Sequence, residues 1–209
     1  MKKIIIFGFP HCGTSILKSI IGHIDDVDEI INETKIINKK TNKKYILCKY
    51  PFLKKEFLTK QYEDYIKIFI IRNPLYVFSS LNERFEYNIP NNHSIDIYIK
   101  TLDKFIHYQN NPINNLYTIK YEDLFIDNYK NIKNILDKIG LIYDDSIFDN
   151  SKYINKIVDK PINTKHIKKR TDQINKPFIN NNNKNKINLL QEQLNIINNN
   201  KKIKKLWDL

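Results

Sequence analysis

Four apolar runs recur along the chain: Ile4-Ile5-Ile6-Phe7, Tyr45-Ile46-Leu47-Cys48, Lys67-Ile68-Phe69-Ile70-Ile71 and Leu116-Tyr117-Thr118-Ile119. Each has the length of a strand, and each ends at a polar or turn-forming cluster. Between them the spacing changes to that of helices. Ile16, Leu17, Ile20, Ile21 and Ile24 fall on one helical face, and further helical patterns cover about 76–88, 95–108 and 128–139, the last closed by Gly140. The acidic cluster Asp25, Asp26 and Asp28 reads as a polar exit from the first helix. Strands alternating with helices predict an α/β domain, a P-loop-like three-layer fold with a central parallel sheet flanked by helices. Ligands of such sheets bind outside the carboxyl ends of the strands, so Lys49, Arg72 and Tyr121, each just past a strand end, are expected to converge on one edge.

The last quarter changes character. Lys165-His166-Ile167-Lys168-Lys169-Arg170 is a basic run, 180–188 reads as an Asn-rich loop, and Leu189, Leu190, Leu194 and Ile197 mark an amphipathic segment. Lys201 to Trp207 carries too little pattern to assign beyond a helix end. With no internal repeat, residues 1–209 are expected to form one domain.

The first apolar run leads directly into Gly8-Phe9-Pro10-His11-Cys12-Gly13-Thr14-Ser15. This stretch fits the template G-x-x-x-x-G-K-[ST] except that Thr14 stands where the lysine belongs. That lysine reaches the β- and γ-phosphates of a nucleoside triphosphate, so its replacement speaks against ATP chemistry. A cradle of backbone N–H groups at a helix N-terminus does not depend on it. The expected ligand therefore carries a phosphate but is not ATP.

Composition narrows the remaining classes. The 209 residues include 32 Lys but only three Arg (Arg72, Arg84 and Arg170), with a net charge of +12 and a pI near 9.4. An anionic partner suits that balance, although a solvated lysine surface accounts for most individual lysine runs. Ile and Lys dominate and Ala is absent, a bias that resembles AT-rich codon usage more than a structural demand. Cys12 and Cys48 make neither a disulfide framework nor a metal spacing; they suit a reducing compartment, as small buried thiols or as a redox-sensitive pair. Pro10 and His11 cut the N-terminal apolar run short of a secretion signal, and no run approaches the roughly 18 residues of a membrane span. The expected location is cytoplasmic.

Several of these stretches together resemble the sulfotransferases that use 3′-phosphoadenosine 5′-phosphosulfate (PAPS). Pro10-His11-Cys12-Gly13-Thr14-Ser15 is similar to that family's 5′-phosphosulfate loop, in which a basic residue usually follows the proline. Arg72-Asn73-Pro74, with Ser80 eight residues beyond Arg72, resembles its 3′-phosphate motif, and Tyr121-Glu122-Asp123-Leu124 resembles a further signature. The tyrosylprotein sulfotransferase branch is the most similar. Glu33-Thr34-Lys35-Ile36-Ile37, the strand Tyr45 to Phe52, Thr171-Asp172-Gln173 and Lys176-Pro177 all have counterparts there. Glycan-modifying members share several of these features. The resemblance runs from Ile4 to about Pro177.

The resemblance implies a role for each position. Pro10, Cys12, Gly13, Thr14 and Ser15 form the loop around the 5′-phosphate, and Arg72 and Ser80 bind the 3′-phosphate, where arginine offers a two-pronged fork. Lys49 stabilises the departing bridging oxygen, and Glu33 accepts the proton of the acceptor hydroxyl as general base. Tyr121 lines the adenine pocket or is a core tyrosine at a strand end. Lys168, Lys169 and Arg170 close over the 3′-phosphate or remain solvated surface. His11 stands where the family has Lys or Arg; an anion bound at the loop would hold it charged and let it assist the leaving group. PAPS is then the donor co-substrate, no metal is expected, and the acceptor is a hydroxyl on a protein tyrosine or a glycan. A homodimer is left open; neither a membrane nor nucleic acid is an expected partner. The alternatives are a P-loop nucleotide kinase or NTP-binding protein, a PAPS-fold protein without catalysis, and a basic nucleic-acid-binding module.

Overall fold

A computed structural model describes residues 1–30, 32–149 and 187–209. Its centre is a five-stranded, wholly parallel sheet built from β1 (Lys2–Gly8), β2 (Val27–Glu29), β3 (Tyr45–Lys49), β4 (Tyr65–Ile71) and β5 (Leu116–Lys120), in the spatial order β2-β3-β1-β4-β5. Among the described residues the α-helices are α1 (Thr14–Ile21), α2 (Pro74–Phe85), α3 (Ile95–Asn110), α4 (Lys130–Ile139), α5 (Gln191–Asn199) and α6 (Lys201–Trp207). The predicted α/β fold with a central parallel sheet is the one observed.

The apolar runs are continuous because both faces of the sheet are covered. Ile4, Ile6, Leu47, Ile68 and Ile70 point to one side and bury α1, through Leu17, Ile20 and Ile21, and α4, through Ile132, Ile135, Leu136 and Ile139. Ile5, Phe7, Ile46, Cys48, Phe69 and Ile71 point to the other, against Val77, Phe78 and Leu81 of α2 and Tyr98, Leu102 and Phe105 of α3. Ile197 of α5 and Ile203 of α6 join that second layer. Lys67 is a buried charge in the middle of a strand. Its stem is buried on the second side, and its ammonium is satisfied by donating to the Tyr62 carbonyl at 2.7 Å.

Two elements depart from the expected layout. The acidic segment after α1 is not simply an exit: Val27–Glu29 pairs with Tyr45–Leu47 as edge strand β2. Its charges are tolerated because Asp28 pairs with Lys39 at 2.7 Å and Glu29 with Lys18 at 3.8 Å at the sheet's edge. Lys201–Trp207 forms a full helix, capped by the Asn200 side chain, which accepts from the amides of Lys202 and Ile203. Of the expected Asn-rich loop, only Ile187 and Asn188 are described, and they have no regular secondary structure.

The sheet order places the candidate site. From β1 the chain moves outward to β2 and β3 on one side, then crosses to β4 and β5 on the other. The crevice at such a reversal lies beyond the carboxyl end of β1, where the loop begins. Gly8 closes β1 against β4 so tightly that a Cβ there would lie 2.0 Å from the Ile70 carbonyl oxygen. Gly8→Ala is therefore expected to destabilise the fold by about 3 kcal/mol or more, since backbone cannot yield as a side chain can. Urea denaturation checks this; a loss below about 1 kcal/mol would show that the two strands can part there.

Candidate functional site

The loop from Gly8 to Gly13 turns through two left-handed residues. His11 has φ 65° and Gly13 φ 94°, and the Cys12 amide donates to the Phe9 carbonyl at 3.2 Å. Gly13 is the residue before α1 and makes no side-chain cap. The first-turn amides of α1, which have no carbonyl one turn earlier to accept them, are thus aimed out of the sheet edge. Pro10, Cys12 and Thr14 are buried, while His11, Gly13 and Ser15 are partly exposed. The Cys12 thiol is pushed up to about 12 by burial, and the Cys48 thiol likewise, so both stay protonated inside the second core layer.

Lys49, the last residue of β3, is buried beside this loop. Its ammonium donates to Ser15 Oγ at 2.6 Å and pairs with Glu33 Oε1 at 3.0 Å. Glu33 arrives there because of β2. Beyond that strand the chain continues along β3, with the Ile30 amide donating to the Leu47 carbonyl and the Thr34 amide to the Lys49 carbonyl at 3.1 Å. Ile37 is buried in the second core layer, and the Tyr62 hydroxyl donates to the Lys35 carbonyl at 2.8 Å. Two residues 16 positions apart in sequence thereby form one ion pair at the mouth of the loop.

Arg72 follows β4 directly. Its guanidinium lies 4.3 Å from the centroid of the Tyr121 ring and 5.7 Å from that of Tyr76. The Tyr121 ring in turn lies under the loop: a Cβ on Gly13 would be 2.4 Å from Tyr121 Cδ2. Tyr121 is only 2% exposed, so it supports both the loop and the arginine from within the fold.

Ser80 and His11 meet across the site. A guanidinium has only N–H donors, so the 3.3 Å contact between Arg84 Nη1 and His11 Nε2 requires a lone pair on Nε2. The proton of the neutral ring is then on Nδ1, which donates to Ser80 Oγ at 2.8 Å. Burial is the main reason the His11 imidazole is pushed down to about 3, followed by the charge of Arg84 and then by His93, Arg72 and Lys49. His11 is therefore neutral here; the charge expected of it belongs to the anion-bound state, and Arg84 is a cation in contact with it. Sequence reasoning assigned Arg84 no role, although its position one helical turn after Ser80 puts both on one face of α2.

A row of partly exposed rings borders this edge. Tyr50 and Phe52 lie 6.0 Å apart between centroids, Phe52 and His93 5.2 Å, and Phe85 and His93 5.5 Å. Lys168, Lys169 and Arg170 lie outside the described residues, as do Thr171-Asp172-Gln173 and Lys176-Pro177. Among the described residues, no group of three or more His, Cys, Asp and Glu side chains is placed to hold a metal ion, and no helix is long and apolar enough to cross a membrane.

The chain superposes on mouse sulfotransferase SULT7A1 complexed with PAP with a TM-score of 0.59 at 17% identity, over 94% of this chain and 82% of that one. The chain shares its fold with a sulfotransferase. A retinol dehydratase in a complex with retinol and PAP matches over 74% of this chain and 67% of that one, with a TM-score of 0.47 and 11% identity. No family model matches the sequence, and no curated protein matches it.

The neutral His11 has a measurable consequence. Its folded pKa near 3 lies below the usual 6.5, so below pH 6.5 the unfolded chain takes up a proton that the folded chain refuses. Its contribution to stability is complete above pH 6.5 and declines as the pH falls toward 3. Relative to His11→Gln, the wild type should lose up to about 1.4 kcal/mol per pH unit below that point, an upper bound because the ring keeps a partly exposed edge. Denaturant titrations of both proteins between about pH 7.5 and 5 test this; parallel stability curves would mean that folding leaves the His11 pKa unshifted.

Proposed function

We propose that this protein is a PAPS-dependent sulfotransferase that moves a sulfuryl group to a hydroxyl acceptor. The observation that carries the reading is the position of Lys49, which reaches Ser15 of the loop on one side and Glu33 on the other. Sulfuryl transfer needs an in-line nucleophile, a cradle for the transferring group and positive charge on the leaving oxygen. Lys49 next to the loop suits the last task, and Glu33 beside it suits the general base. The acceptor oxygen forms its bond to sulfur as the bond from sulfur to the 5′-phosphate oxygen breaks. The acceptor proton goes to Glu33, and the leaving oxygen faces Lys49.

Arg72 and Ser80 are the groups we assign to the 3′-phosphate. The Tyr121 ring supports the guanidinium at 4.3 Å, and the Ser80 hydroxyl, accepting from His11, keeps its own proton for donation to an anion. The positive charge of Lys49, Arg72 and Arg84 is of the right sign for a bisphosphate product. The rings of Tyr50, Phe52, Phe85 and His93 supply flat apolar surface near the reacting edge, suited to a phenol ring or a sugar face. A protein tyrosine, as in the tyrosylprotein branch, and a glycan hydroxyl are both acceptors of that kind. The neutral His11 favours a second reading, a donor-binding protein that transfers slowly or not at all; it differs in predicting PAP binding without product.

Transfer of ³⁵S from labelled PAPS to a panel of tyrosine peptides, glycans and small phenols tests the reading. Glu33→Gln and Lys49→Ala are each expected to lower turnover by about a hundredfold or more, the usual contribution of a positioned acid, base or charge. Full turnover in either variant would remove that residue from the mechanism. Arg72→Ala is expected to abolish the thermal stabilisation given by 3′-phosphoadenosine 5′-phosphate; an undiminished shift would place the 3′-phosphate elsewhere.

A further inference from the structure

The turn that presents Arg72 is held from outside the sheet. Glu122, the residue after Tyr121, accepts the Asn73 amide on Oε1 at 2.9 Å. Its other oxygen, Oε2, accepts the indole N–H of Trp207 at 3.2 Å, from the last residue of α6. Asn73 uses its side chain to cap α2, accepting the Leu75 amide at 3.0 Å. The Arg72 carbonyl is fixed separately by the Tyr98 hydroxyl at 2.7 Å. The peptide unit between Arg72 and Asn73 is thus held at both its oxygen and its nitrogen, and the nitrogen's partner is itself oriented by a residue 85 positions away.

The stretch that carries Trp207 is moored along the same helix. Asn82 and Gln193 exchange side-chain hydrogen bonds at 2.8 and 3.3 Å, and the Asn188 amide donates to Ser79 Oγ at 2.9 Å. Ser79 and Asn82 flank Ser80. The segment 187–207 therefore touches the helix that bears Ser80 and the carboxylate that fixes the Arg72 turn.

We propose that Glu122 and Trp207 are positioning residues for the 3′-phosphate site, through the clamp Trp207 N–H to Glu122 carboxylate to Asn73 N–H. The proposal rests on the reading of Arg72 as that phosphate's partner. A carboxylate free to rotate would leave the Asn73 amide to water and let the Arg72 turn move relative to Tyr121. Held by the indole on Oε2, it presents Oε1 to the Asn73 amide. The clamp acts on the 3′ end of the donor and not on the loop end, so it contributes to discrimination between 3′-phosphorylated and plain adenine nucleotides.

The test uses Trp207→Phe, which keeps a ring and removes the N–H, with Glu122→Gln as a second variant that keeps one oxygen acceptor. Hydrogen exchange of the ligand-free protein reads the clamp directly. The Asn73 amide is expected to exchange about three- to tenfold faster in Trp207→Phe, with the amides of Ile68 and Ile70 unchanged as the folding control. Calorimetric titration reads its effect on recognition: affinity for 3′-phosphoadenosine 5′-phosphate is expected to fall about three- to tenfold, and affinity for adenosine 5′-monophosphate to stay the same. Glu122→Gln should act in the same direction. Equal weakening of both nucleotides, or unchanged exchange at Asn73 in both variants, would overturn the proposal. If the wild type binds neither nucleotide, the donor assignment fails, while the exchange measurement still decides whether the clamp exists.

Discussion

The site depends on one aromatic ring in two contacts. Tyr121 occupies the space that a side chain on Gly13 would need, and it carries the Arg72 guanidinium on its centroid at 4.3 Å. Its amide donates to the Ile71 carbonyl at 2.7 Å and its ring packs in the first core layer, so backbone and packing together register it to the end of β4. Gly13 serves two purposes at that contact. Its positive φ shapes the loop, and its missing Cβ lets the ring approach. A stacked cation over a buried phenol ring is worth more than a solvated one because the ring face has been cleared of water. Loop and arginine are consequently placed relative to each other by a single side chain between them.

What the sequence made legible follows from how each element is buried. β1, β3 and β4 stood out because both faces are covered, which forces long apolar runs, and edge strand β5 through its apolar Leu116, Tyr117 and Ile119. β2 did not, because it is a three-residue edge strand whose Asp28 and Glu29 are half-buried in ion pairs with Lys39 and Lys18 rather than part of an apolar run. Glu33 could be nominated only by resemblance, since its meeting with Lys49 depends on that hidden strand. Arg84 was within reach of periodicity, four residues after Ser80 on a helix already recognised. Trp207 was not, because its partner is a carboxylate 85 residues earlier and no local pattern encodes such a distance.

The electrostatics of the loop also depend on where charge is cheap. An imidazolium at His11 would be buried next to Arg84, with Arg72 and Lys49 also within range, and the neutral tautomer avoids that repulsion while still satisfying both ring nitrogens. Arginine cannot shed its proton under the same pressure. The charge that a basic loop residue would have carried is therefore present on α2, one side chain away, while His11 is reduced to a hydrogen-bonding link between Arg84 and Ser80.

Residue choice at this edge runs against the chain's own bias. With 32 Lys and three Arg, a cation at a random position is a lysine about ten times in eleven. Both arginines among the described residues nevertheless stand at the candidate site, one on Tyr121 and one on His11. Lysines meet aromatic rings too, with Lys2 and Lys44 over Tyr45 and Lys3 over Tyr65 at the opposite ends of the strands, and Lys54 over Tyr50 at the rim of the site. A point charge is sufficient there. A planar donor that stacks on a ring and presents several N–H groups in fixed directions is required where an anion must be held in one orientation. The basic surface thus accounts for most of the net charge, and the arginines mark the part of it where geometry matters.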